Sequence, residues 1–389
     1  MKFTQIILSV GLCSLMACSC TRTESSDDLS LVSINFSSLK EKNLFLKKDG
    51  NPNCQLLKLE TTDECLIKWI EKIVIDGDYI FVKDMNYKLF VFNAKNGKFL
   101  NQIGTIGSGP EELLSMYDFY VDDIKKHVCI YDGVRGLVLQ YSYTGELLNS
   151  DECNHQVMGE MSWLTYTPNR NLIATMTNYQ DSRYKYRVID TDGYRCKGEY
   201  LPFCVVGAVR NTFSKPQVAT NRSHCYALGF LSDTIYQYST KGDFIPKFVF
   251  NNGLKHRNDE SLKTDYQMGS DAIATLNRKG MSTGISELFL IGDVLHFLHF
   301  SDGKEYKIWW NVKNNQGYYA SVDYVSDPIK GMYSSCYYAI TENALVSVVA
   351  ADDLVLFRDE QKEAGMAVSP ELEDIKEEDN PVLAFYFIN

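Results

Sequence analysis

Several things are scarce in this chain, and each scarcity excludes something. Only 9 of its 389 residues are proline and only 6 are histidine. No apolar run approaches the roughly twenty residues that a membrane-spanning helix needs. The cysteines form no CxxC pair and no Cys/His cluster, so a zinc site is not indicated. No G-x-S-x-G elbow marks a serine hydrolase. Positive charge is in deficit: 39 Lys and Arg against 50 Asp and Glu give a formal charge of −11. A phosphate backbone would be repelled, which argues against nucleic acid as a partner. Apolar residues do not recur at helical spacing over long stretches, which excludes a helical solenoid.

What is present begins at the N-terminus. Lys2 is followed by an apolar run from Ile6 to Ala17, and Leu15-Met16-Ala17-Cys18 closes it. A dozen apolar residues ending at a small residue read as an export signal, not an anchor helix. The order matches a lipobox, so residues 1–17 are expected to be a signal peptide and Cys18 the lipid-attachment site. Thr21 to Ser30 is polar, acidic and without periodicity. Residues 18–35 are therefore expected to be a flexible tether that holds residues 36–389 beside a membrane. The expected location is the bacterial cell envelope, periplasmic or surface-exposed.

Aromatics are abundant, with 25 Tyr and 20 Phe, and favour strands. One hairpin pattern, two short apolar runs around a polar turn, occurs six times. Its turns fall at Asp76, Asp122, Pro168, Thr220, Gly292 and Thr341, spaced by 46, 46, 52, 72 and 49 residues. A second hairpin lies between most copies, marked by Gly97, Gly145, Gly193, Gly242 and Gly317. Tight hairpin turns need positive φ, which glycine supplies. Two hairpins per period make four antiparallel strands, the unit of a propeller blade. The expected fold is an all-β, six-bladed β-propeller. Its ring is expected to close by pairing CQLLKLETT near the N-terminus with PVLAFYFIN at the C-terminus. Gly50 also fits the glycine spacing, which leaves open the donation of a whole N-terminal hairpin. Asn251 to Gly284 reads as an inserted loop, and Ser369-Pro370-Glu371-Leu372 as the start of a short helix.

Three elements carry a family resemblance. IGTIGSGPEEL (103–113), DTIYQY from Asp233, and EDNPVLAFY near the end together resemble the six-bladed β-propeller lipoproteins of Bacteroidota. The first departs from that family's G-x-G-P-G-E-Y signature at Glu111 and Leu113. The resemblance implies location and shape more than chemistry. Gly104, Gly107 and Gly109 read as an inter-blade linker, since no Lys-Ser/Thr follows them as a phosphate cradle requires.

Other candidates for chemistry are few. His296 and His299 form HxxH, but positions three apart on a strand point to opposite faces and cannot share an ion. Glu71 and Glu287 each lie five residues before a hairpin turn, so both could face the central channel as an acid and base for glycoside cleavage. Asp118, four before its turn, should point oppositely unless a bulge intervenes. Cys54 with Cys65, or Cys196 with Cys204, could bridge in an oxidising compartment, and buried free thiols are the alternative. No cofactor or metal is expected. The functional expectation is a lipid-anchored binding or scaffold module recognising a glycan, peptide or envelope protein through Tyr- and Trp-bearing loops. The competing one is a glycan-directed hydrolase or lyase using Glu71 and Glu287.

Overall fold

The computed structural model describes residues 30–48, 53–109, 112–159, 161–177, 183–203, 217–229, 231–254, 279–301, 304–321 and 337–388. The signal segment, Cys18, Gly50, Cys204 and most of the 251–284 insertion lie outside them. The chain first forms three N-terminal strands, β1 (Val32–Asn35), β2 (Lys40–Glu41) and β3 (Cys54–Lys58). Blade 1 follows as β4 (Ile70–Asp76), β5 (Tyr79–Asp84), β6 (Leu89–Asn93) and β7 (Phe99–Ile103). Blade 2 is β8 (Asp118–Asp122), β9 (His127–Asp132), β10 (Leu137–Ser142) and β11 (Leu147–Glu152). After a short helix α1 (His155–Met158), blade 3 is β12 (Met161–Tyr166), β13 (Asn171–Met176), β14 (Tyr184–Asp190) and β15 (Cys196–Pro202). Blade 4 is β16 (Val218–Thr220), β17 (Cys225–Leu228), β18 (Thr234–Tyr238) and β19 (Phe244–Asn251). Blade 5 is β20 (Ile285–Ile291), β21 (Val294–Ser301), β22 (Lys304–Asn311) and β23 (Gln316–Ser321). Blade 6 takes β24 (Tyr337–Ile340), β25 (Ala344–Val349) and β26 (Val382–Phe387), and β3 completes it from outside.

The six sheets are the six expected blades, and every one of the six repeated hairpins is the inner pair of a blade. Gly97, Gly145, Gly193 and Gly242 occupy the outer turns at positive φ. Gly317 does not: it lies within β23, and Asn315 at φ +53 takes the left-handed position of that turn. Asparagine tolerates that region better than most residues.

Each blade buries both faces, which explains why the strands read as continuous apolar runs. In β9, Val128 and Ile130 join the core shared with blade 1, while Cys129 and Tyr131 join the core shared with blade 3. In β6, Leu89 and Val91 face blade 2, while Phe90 and Phe92 face blade 6. The period-2 alternation of strands thus generates six hydrophobic clusters, one in each crevice between neighbouring blades.

Ring closure follows the expected scheme: β3 pairs antiparallel with β26, from Lys58↔Val382 to Cys54↔Tyr386. Asn380, buried just before β26, fastens the seam. Its Oδ1 accepts from Ile67 N at 2.8 Å, and its Nδ2 donates to Glu60 O and Cys65 O at 2.7 and 2.9 Å. The N-terminal chain does more than close the ring. β1 adds parallel to β19 and β2 parallel to β23, so the chain runs over the outer edges of blades 4, 5 and 6 in turn. Phe36 packs on Phe250, Tyr306 and Tyr319, and Phe45 on Trp309, His296 and Tyr386. Val32–Asn35, at the end of the expected tether, is therefore part of the propeller.

Two helices lie between β25 and β26. α2 (Ala351–Glu363) is longer than any helix the sequence reading placed, and α3 (Pro370–Glu373) is the short one expected, with Pro370 in its first turn. α2 buries Leu354, Val355 and Phe357 against blades 5 and 6. Asp352 and Asp353 in its first turn and Lys362 in its last complement the helix dipole.

Candidate functional site

The innermost strands line the ring axis, and those of blades 1 to 3 are joined by one buried lysine. Lys72 and Asp118 each stand four residues before the last pair of their inner hairpins, and by the same register the matching residue of blade 3 is Trp163. The Lys72 ammonium donates to Asp118 Oδ2 at 2.8 Å, Phe119 O at 2.7 Å and Leu164 O at 2.8 Å. Asp118 also accepts from Leu164 N and from Phe119 N. The rings of Trp163 and Phe119 lie 4.6 and 5.2 Å from the ammonium. Burial lowers the pKa of Lys72, opposed by the Asp118 carboxylate. This knot staples three blades together with every Lys72 donor engaged.

Glu71 and Glu287 sit on the innermost strands of blades 1 and 5, which blade 6 separates. Each falls at a register shift: Glu71 between Ile70 and Lys72, Glu287 between Ser286 and Phe289. Counting from the turn therefore does not fix which way either points. The Glu71 carboxylate is held by Lys83 at 2.5 Å on the neighbouring strand. Glu287 is buried at φ +52, a left-handed backbone that is costly for glutamate.

His296 and His299 lie on opposite sides of β21. His296 packs among Phe45, Phe289 and Trp309 toward blade 6, with Nδ1 3.0 Å from Ile308 O. His299 packs against Phe36 and Phe250 toward blade 4. Among the described residues no group of three His, Cys, Asp or Glu could hold a metal ion. Cys54, Cys65 and Cys196 are free thiols, so the Cys54–Cys65 bridge is not formed.

The glycine-rich element closes on itself. Gly107 N donates to Leu113 O and Leu113 N to Thr105 O, while the Glu112 carboxylate accepts from Gly109 N at 2.6 Å. A Cβ on Gly107 would lie 2.1 Å from that carboxylate. Arg135 clamps the loop by donating to Glu112 O and Gly109 O. Among the described residues of the loop, these bonds hold the backbone in one shape, as a linker between blades 1 and 2 requires.

What the sequence reading did not locate is an exposed apolar area on the face where each innermost strand begins. Leu66 and Trp69 precede β4, Met85 and Tyr87 form the β5–β6 turn, Ile106, Leu114 and Tyr117 precede β8, and Val134 tips the β9–β10 turn. All eight are exposed, Trp69 at 63% and Tyr87 and Tyr117 at 53% each. Tyr117 lies against Gly133, where a Cβ would come within 2.4 Å of its ring. Tyr87 is held at φ +60, in a turn whose Asp84 carboxylate accepts from Asn86 N and Lys88 N. On the opposite face, between the same two blades, a cavity of about 600 Å³ is lined by Asp76, Tyr79, Lys126 and Tyr143 among others. Its polar groups are mutually engaged: Asp76 accepts from Lys126 and from the Tyr143 hydroxyl, each at 2.6 Å.

These features define a class, a closed six-bladed propeller with a buried Lys72–Asp118 pair joining blades 1 to 3 and, among the described residues, eight exposed large apolar side chains in the loops at one face of blades 1 and 2. The particular family follows from the sequence, since residues 33–387 match the model of a domain of unknown function, DUF4934, and the chain belongs to that family. No curated protein matches the chain. Among solved structures, a protein of Bacteroides fragilis NCTC 9343 described as exported is 20% identical, with a TM-score of 0.69 over 92% of this chain and 100% of that one. A DUF4221 family member from Bacteroides vulgatus ATCC 8482 is 10% identical, with a TM-score of 0.48 over 86% of this chain and 98% of that one. Among the described residues, no helix is long and apolar enough to cross a membrane.

Proposed function

We propose that this protein is a lipid-anchored module of the cell envelope that binds a macromolecular partner through the face of blades 1 and 2. The export signal and lipobox of the sequence, with Cys18 as the acylated residue, supply the anchor. The observation that carries recognition is the gathering of Leu66, Trp69, Met85, Tyr87, Ile106, Leu114, Tyr117 and Val134 on one face. Large exposed apolar areas on a rigid scaffold mark interaction sites, and Trp and Tyr are the side chains that most often dominate their energetics. The Glu71 carboxylate is already engaged by Lys83, which favours recognition over carboxylate-pair catalysis.

The test uses the Cys18→Ala protein, which should leave the membrane fraction with its thermal stability unchanged. It is screened on a glycan array and in envelope pull-downs beside a Trp69→Ser/Tyr117→Ser form. Capture that disappears in the double variant supports the reading. Capture indifferent to those residues, or continued membrane association of Cys18→Ala, counts against it.

A further inference from the structure

We infer that the cavity between blades 1 and 2 is a binding site for an aliphatic diamine. It lies opposite the recognition surface proposed above and does not depend on it. Its volume of about 600 Å³ is that of a small-molecule site. The β4–β5, β8–β9 and β10–β11 turns meet to form it.

The chain already places an ammonium group there. Lys126 Nζ lies 2.6 Å from Asp76 Oδ2 and 5.8 Å from the centre of the Tyr143 ring. The Tyr143 hydroxyl donates to the same oxygen, also at 2.6 Å. Burial, and then this bond, raise the pKa of Tyr143, so the hydroxyl keeps its proton and goes on donating. Asp76 Oδ1 receives no bond from the described residues. Asp78 repeats the arrangement: its Oδ2 accepts from Lys95 at 2.7 Å, and its Oδ1 is open. The cavity thus offers two carboxylates, each with one free oxygen, on Cα atoms no more than about 7 Å apart. A chain of about four or five methylene groups covers that span. Tyr79 stands edge-on to Tyr143 at 5.1 Å and supplies an aromatic wall for the methylenes.

Both resident lysines are exposed, Lys126 at 58% and Lys95 at 71%, and exposed ion pairs hold weakly. A ligand with two ammonium groups on one chain displaces them into solvent, because its second group binds at high effective concentration once the first is held. Charge selects against other classes. The charged lining residues are Asp76, Asp78 and Lys126, which leaves a negative excess. In these turns and the β6–β7 turn, Asp122, Asp123 and Glu146 are offset by Lys95, Lys98 and Lys125. An anion meets that excess as well as the −11 of the whole chain. A neutral ligand that expelled the lysines would leave two carboxylates without a counter-charge.

Calorimetric titration of the Cys18→Ala protein with 1,4-diaminobutane tests the site. The expected result is one saturable site of millimolar or tighter affinity. n-Butylamine, with a single ammonium, should bind at least fivefold more weakly, and acetate and glucose not at all. Asp76→Asn should weaken the diamine at least fivefold. Lys126→Met, which removes the resident ammonium from an exposed side chain, should tighten it at least threefold. Lys313→Met makes the same change of net charge at an exposed pair with Asp293 in blade 5 and should leave binding unchanged. No binding at about 20 mM diamine overturns the inference. So does binding indifferent to Asp76→Asn, or an equal gain in both lysine variants, since either marks a non-specific counter-ion. If Asp76→Asn does not fold, the two lysine variants decide alone. A site abolished by Trp69→Ser belongs to the opposite face and overturns it as well.

Discussion

Breaking the axial knot should be costly, and removing it entirely should be much less so. In Asp118→Leu the buried Lys72 ammonium keeps only the Phe119 and Leu164 carbonyls, while the N–H groups of Phe119 and Leu164 lose their acceptor. Removing one partner of a buried pair typically costs about 3–5 kcal/mol, and the upper part of that range is expected here. Lys72→Met leaves the carboxylate with two N–H donors, which places its cost near the lower end, about 3 kcal/mol. The double variant Lys72→Met/Asp118→Leu carries no buried charge. Its total cost should therefore fall below the sum of the singles by at least about 2 kcal/mol. Urea unfolding of the four proteins of the cycle, all on the Cys18→Ala background, gives the coupling directly. Singles that each cost under about 1 kcal/mol, or costs that simply add, would refute the claim that a desolvated ion pair staples blades 1 to 3.

Other perturbations have equally definite outcomes. Asn380→Ala strips the partners from Ile67 N and Cys65 O and leaves Glu60 O with the Cys65 thiol alone, so at about 1–3 kcal/mol per orphaned group the seam should lose about 2 kcal/mol or more, seen as a lower thermal midpoint. Burial, and then the nearby Lys307 ammonium, hold the His296 imidazole at a pKa of about 3 against the opposing bond to Ile308 O. The unfolded chain protonates first, so the stability present above pH 6.5 is lost as pH falls toward 3, about 3 kcal/mol between pH 7 and 4. His296→Gln should flatten that part of the pH–stability curve, and parallel curves would exclude the effect. Tyr87→Gly relieves a left-handed tyrosine but frees the unfolded chain, so stability should change by no more than about 1 kcal/mol.

The fold was legible because both of its periods are local. Strand alternation and hairpin turns near positions 76, 122, 168 and 220 are set by neighbouring residues, and the blades repeat them. Closure was legible for a related reason: CQLLK and PVLAFYF are strong strands with no partner nearby in sequence. The strap was not legible. VSIN and KE are too short to announce strands, and they hold only because β19 and β23 offer open edges. α2 was missed because ALVSVV runs straight into AADDLV with no break between strand and helix. Its signals were Asp352 and Asp353 at one end and Lys362 and Gly365 at the other, with Gly365 at φ +69 just past the last turn.

The site was hidden by a different cause. Counting along a strand assigns faces only while the register is unbroken, and β4 and β20 both slip at the residues of interest. The Glu71 carboxylate meets Lys83 on the neighbouring strand, and Lys72, one residue on, reaches Asp118 in the next blade. The proposed recognition face has no period to read: its eight residues come from four separate loops. In sequence Trp69 and Tyr117 look like two more of the aromatics that fill the crevices between blades. They differ only in standing one residue ahead of β4 and β8, where the sheet has ended and no neighbouring blade covers them. A buried aromatic is accounted for by the ring's own stability. An aromatic exposed just outside it, as Tyr117 is beside Gly133 and Tyr87 in its left-handed turn, adds little to that stability, and this is the ground for the recognition proposed above.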